Sequence, residues 1–121
     1  MGKKKTVHVS CEAWTDKSGL RLIMADTFMS RFLGLMGRKH DSLPENTGLC
    51  IRPCSSIHML FMRFPIDAVW VDRDMRVLKI SRNVPPWTGF AWCFGADAVV
   101  ELHAGTADKI GIKIGQCCVF H

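Results

Sequence analysis

The spacing of apolar residues changes along the chain, and each change marks an element. Val7, Val9, Cys11 and Ala13 alternate with His8, Ser10 and Glu12, the two-residue period of a strand with one buried face. Turn formers fill residues 16–19, and residues 20–24 read as a second strand, so the pattern opens with a hairpin. Phe28, Phe32, Leu35 and Met36 then recur at helical spacing behind Asp26 or Thr27, either of which can cap free backbone N–H groups. This predicts a short helix near residues 27–37. Burial worth about 1.5–3 kcal/mol per large side chain pins a helix that would not persist alone. Gly34 inside it costs about 1 kcal/mol against Ala, which points to close approach by another backbone.

Beyond a turn at residues 44–48, strand patterns occupy residues 49–52, 57–64 and 66–72. The run from Ile57 to Phe64 is apolar on both faces and reads as a central strand covered on each side. Residues 72–75 turn the chain into another strand over 77–81. Val84, Pro85, Pro86 and Trp87 cannot join a central strand, and an irregular segment runs from there to about residue 97. Strands at 98–102 and 116–120 complete the set, with one helical turn expected near 107–110. Short strands in this number with one real helix predict a mainly β fold, a β-sandwich or distorted barrel with the helix plugging one side.

The 121 residues suit one domain. Residues 1–6 are expected as a flexible basic tail and 7–121 as the domain. The formal charge of +5 owes three units to Lys3, Lys4 and Lys5, leaving +2 on the rest. The other basic residues are scattered among acids, so no phosphate-tracking stripe forms and nucleic acid is not the expected partner. The start Met1-Gly2-Lys3-Lys4-Lys5-Thr6 fits a myristoylation pattern, but reads more simply as a frayed terminus. No apolar run approaches the ~20 residues of a membrane span. Six cysteines without a secretory leader are expected as reduced thiols in a cytoplasmic protein.

Four ordered blocks resemble one family. They are Arg31-Phe32-Leu33-Gly34-Leu35-Met36-Gly37-Arg38; then Ile57-His58 with Phe61-Met62-Arg63-Phe64-Pro65-Ile66-Asp67 and Val71-Asp72; then Pro86-Trp87; and last Val100-Glu101-Leu102 with Ala104-Gly105, followed by Gly115 and Val119. The pattern resembles DUF192 over residues 27–120. It departs from the commoner form at Cys50, in place of a large apolar residue, and at His103, where many relatives carry proline. The resemblance implies a mainly β, jelly-roll-like domain and no particular activity.

Asp67 shares a strand face with Val69 and Val71, so the period of two turns it inward, where an ionised carboxylate needs partners. Arg63, Arg31 and Arg38 are the available cations, and a guanidinium fork fits a carboxylate. The pair either locks helix to sheet or opens to admit an anion. Glu101 shares its face with Val99 and His103 and reads as a general base or as a cap for the turn after Ala104. Cys50, Cys54 and His58 recur every four residues, a spacing that gathers zinc ligands or a thiol and its base only on a helix. Pro53 opposes that helix, and in extended chain positions 50 and 54 lie roughly 13 Å apart. No metal and no cofactor are expected, and the thiols read as structural, with Cys117 and Cys118 facing opposite ways. Trp87, Phe90, Trp92 and Phe94 form either a lid on one end of the core or an exposed partner surface. Met36, Met59 and Met62 are core filler.

These residues favour a non-enzymatic binding or accessory domain for a small anionic ligand or carboxylate-bearing peptide. Its expected site comprises Arg31, Arg38, His58, Arg63, Asp67, Glu101 and Trp87. The alternatives are a small hydrolase or transferase using Cys54 or His58 with Glu101 or Asp67, and a structural partner in a larger assembly that docks through the aromatic segment. No nucleophile elbow, phosphate loop or H-E-x-x-H motif supports the enzyme reading.

Overall fold

Every residue of β5 (Ile66–Val71) is buried, and the molecule is organised around it. The computed structural model describes residues 5–10, 20–25, 47–58, 64–86, 90–117 and 119–120; the helix expected near 27–37 lies outside them. Antiparallel to β5 on one side runs β6 (Val77–Val84), and on the other β8 (Ala98–His103). The sheet continues through β3 (Thr47–Ile51), β2 (Leu20–Ala25), β1 (Lys5–Ser10) and β9 (Val119–Phe120), in the order β6-β5-β8-β3-β2-β1-β9. Only β2 and β3 are parallel among these pairs. β1 starts at Lys5, so Lys5 and Thr6 pair with Met24 and Ile23 rather than belonging to a free tail.

The C-terminal segment touches both ends of this order. Val77 N–H donates to Gln116 O and Gly115 N–H to Val77 O, each at 2.8 Å, Arg76 bridges to Cys117, and β9 pairs with β1. The sheet therefore curls toward a distorted barrel but stops short of a continuous ladder.

Each sheet face has its own core. Leu22, Cys50, Val69, Val71, Val100 and Leu102 meet on one, joined by Ala107, Ile110 and Ile112 from the short helix α1 (Thr106–Lys109) and the turn after it. On the other, Leu49, Ile51, Ile66, Ala68, Trp70 and Val99 meet Ile57 and Phe64. A second, two-stranded sheet supplies part of that cover: β4 (Ser56–His58) pairs with β7 (Phe90–Trp92). Ile57 sits in the core, and Ala91, Cys93 and Ala96 pack against it.

This corrects the reading of residues 57–64 as a central strand. The strand there is Ser56–His58, in the small sheet, and Phe64 lies in a bend before β5. β5 instead takes an interior position of the large sheet, between β6 and β8. Gly48 was expected in a turn and stands instead inside β3, where a Cβ would come within 2.7 Å of Leu102, 2.8 Å of Val100 and 3.0 Å of Leu22. The helical turn expected near 107–110 is α1.

Candidate functional site

Asp67 is buried as its strand pattern requires, at 1% exposure. Among the described residues its partners are backbone groups. Opposite it, β6 bulges: the register passes from Ile66↔Val84 to Ala68↔Ser81, so Arg82 and Asn83 stand against Asp67 alone. Asn83, in the left-handed region at φ 50°, donates its N–H to Asp67 Oδ1 at 2.9 Å. Gly105 and Ala107 donate theirs to Oδ2, each at 3.0 Å. Gly105, at φ 91°, is the N-cap residue of α1 and brings no capping side chain of its own, so Asp67 caps that helix from across the sheet. One carboxylate thus satisfies a strand bulge and a helix start, the cap role expected of Glu101. Arg31, Arg38 and Arg63 lie outside the described residues.

Glu101 sits on the opposite face, directly across from Ala68 on β5 and Leu49 on β3. Asp67 and Glu101 therefore do not converge. Glu101 is 5% exposed, and its buried Oε1 has no hydrogen-bond partner among the described residues. Burial alone pushes its carboxyl from the ordinary value up to about 7. His103, two residues along the same face, packs its ring against Phe64 with centroids 5.4 Å apart. At neutral pH a substantial fraction of Glu101 is an uncharged acid beneath an apolar cover, able to donate one proton or accept a hydrogen bond.

The thiols are poor nucleophiles. Cys50 points into the first core, away from Glu101, and burial raises it to about 11 against a weaker opposing pull from Arg52. Cys54 packs against the second core and donates to Ser56 O at 3.0 Å. Burial raises its pKa; the Ser56 hydrogen bond opposes this, and the charge of Glu101 adds to it. The two cysteines thus serve different faces, and no group of three or more His, Cys, Asp or Glu side chains able to hold a metal occurs among the described residues. His58 lies on β4 opposite Phe90. Trp87 lies outside the described residues.

The aromatic segment divides its work. Its small residues cover the core, while Trp92 and Phe94 are 53% and 92% exposed. With Ser55, Ser56 and Cys93 they line an open groove of about 270 Å³. Lys79 of β6 donates to Trp92 O at 2.9 Å and anchors the end of β7. Cys93, Ser55 and Ser56 carried no signal in the sequence, because the pairing of residues 56–58 with 90–92 joins segments far apart in the chain. Nearby, Arg52 and Asp97 form an ion pair, Nε to Oδ2 at 2.6 Å, and Arg52 also donates to Asp72 O at 3.3 Å.

A curled mixed sheet with two apolar faces, a backbone-capping aspartate on one and a buried glutamate on the other define a mainly β protein of distorted-barrel or sandwich type. The chain belongs to the DUF192 family, described as an uncharacterized ACR, whose model matches residues 11–120. It is 33% identical over 111 residues to a UPF0127 protein of Thermococcus sibiricus, a match covering 87% of this chain and 66% of that protein, just under two thirds of its length. A UPF0127 protein of Pyrococcus furiosus is 30% identical over 97 residues, covering 76% of this chain and 79% of that one. Among solved structures, a Novosphingobium aromaticivorans protein of unknown function is similar at TM-score 0.76 and 28% identity, over 96% of this chain and 84% of that one. A Sinorhizobium meliloti protein bearing the provisional name transcription regulator is similar at TM-score 0.82 and 20% identity, over 99% and 97% of the two chains, a likeness of fold alone. No helix among the described residues is long and apolar enough to cross a membrane.

Proposed function

We propose that the chain is a non-enzymatic binding domain that recognises a small anionic ligand or a carboxylate-bearing peptide, and that it works in the cytoplasm with its thiols reduced. The observation that carries this reading is Glu101, an acid 5% exposed whose Oε1 has no partner among the described residues. A buried polar group without a hydrogen bond is costly, and a missing ligand is one physical reason to keep one. A neutral carboxyl presents a donor, and its best counterpart is an anionic oxygen. In this reading Arg31, Arg38, Arg63 and His58 supply the positive charge and Trp87 the rim. Asp67 remains with the scaffold, because both its oxygens are engaged by backbone N–H groups.

A second reading, docking of a protein partner on the aromatic segment, draws on the exposure of Trp92 and Phe94 beside the groove. The hydrolase or transferase reading is weaker, since a thiol raised by burial holds little of the attacking thiolate. A thermal-shift screen of anionic metabolites and short peptides tests the leading proposal. Stabilisation by a carboxylate that is absent in Glu101→Ala supports it, and a flat response across the panel contradicts it.

A further inference from the structure

Resting on the reading of Glu101 as a ligand group, we infer that the ligand is a carboxylate and that the domain takes up a proton to hold it, with Glu101 Oε1 as the atom that carries the proton to the complex. A ligand carboxylate cannot share an apolar site with an ionised Glu101, since two like charges in contact away from water repel strongly. It can share the site with the acid form, in which the O–H of Glu101 donates to one ligand oxygen. The proton leaves solvent, stays on Glu101 and bridges the two carboxyl groups; no bond to carbon changes.

The surroundings favour this mode. The side chains directly across from Glu101 on β5 and β3 are Ala68 and Leu49, which offer neither charge nor hydrogen bond. Among the described residues, the titratable groups on its face are Cys54, from the segment before β4, Cys93, just after β7, and His103, on β8; His58 lies on β4 in the small sheet. Cys54 is raised by burial, and a cysteine side chain is either a neutral thiol or a thiolate anion, so it offers an ionised Glu101 no compensating positive charge. Burial of Glu101 favours its protonated form into the neutral range, where a change in pH then changes the supply of binding-competent protein.

The test titrates N-acetylglycine and benzoate into the intact chain by calorimetry at about pH 6 and about pH 8, in buffers of different ionisation enthalpy. The expected result is binding about tenfold weaker at the higher pH, since each unit above the midpoint costs a factor of ten in the protonated fraction. Uptake of close to one proton per ligand is expected there. Glu101→Gln keeps the volume and a donor but cannot ionise, so it should bind with equal affinity at both values and take up no proton. If the variant does not fold, the proton count of the wild type decides. Equal affinity at both pH values without proton uptake, or a Glu101→Gln profile identical to wild type, overturns proton coupling while leaving carboxylate binding intact. Failure of both probes to bind at the lower pH removes the binding reading and this inference together.

Discussion

At the scale of single residues, Asp67 and Glu101 show how one chemical group, the carboxyl, serves opposite ends on two faces of a sheet. Asp67 accepts three backbone N–H groups. Asp67→Ala strands all three donors, and at about 1–3 kcal/mol each the loss should reach about 3 kcal/mol or more, read by urea denaturation. Asp67→Asn, which keeps one acceptor oxygen, should recover part of it; a neutral alanine variant would contradict the capping role. Gly48 is held to hydrogen by Leu102, Val100 and Leu22, so Gly48→Ala should cost about 1–3 kcal/mol through overpacking. The thiols offer a third check. Iodoacetamide near neutral pH should leave Cys50 unmodified in the folded chain and label exposed Cys117 faster than Cys54; a fast Cys54 would revive the enzyme reading. That Asp67 faces inward was legible from the alternation with Val69 and Val71. Its partners were not, because they are backbone groups of residues 83, 105 and 107, which no side-chain pattern announces.

At the scale of elements, the small β4/β7 sheet stands apart from the rest. Its Ile57, 8% exposed, belongs to the second core. Ile57→Ala should cost about 2–5 kcal/mol. It should also speed amide exchange in residues 56–58 and 90–92 while residues 66–71 and 98–103 stay protected, the signature of a unit that opens before the whole. Equal acceleration in all four strands would show that the small sheet has no independent opening. The strands at β2, β6 and β8 and the turn of α1 were legible, each from alternation or from flanking turn residues. The turn at Asp72 illustrates this, its Oδ1 accepting N–H from Asp74 at 2.8 Å and Arg76 at 2.9 Å. The central strand was misplaced for a physical reason. Residues 57–64 carry the longer apolar run, whereas β5 holds a carboxyl group at Asp67, whose burial inside the sheet is compensated by three remote backbone N–H groups.

At the scale of the whole molecule, Glu101 ties global stability to pH. Its pKa in the folded chain, about 7, lies above the ordinary 4.5, so the folded state holds its proton more tightly than the unfolded one. The contribution is fully present below about pH 4.5 and is lost as pH rises through about 7. Across that window the wild type should lose about 3 kcal/mol relative to Glu101→Gln, the equivalent of the shift at 1.36 kcal/mol per unit. The curled sheet and its class were readable from strand number and helix scarcity. The near-closure was not, because it depends on residues 115–120 reaching both β6 and β1.

The most direct test is the titration of the Glu101 side-chain carboxyl carbon by NMR, in the intact chain with the Glu101→Gln variant assigning the signal. A midpoint near 7 is predicted. A midpoint near the ordinary 4.5 would contradict the buried neutral acid and, with it, the binding mode built upon it.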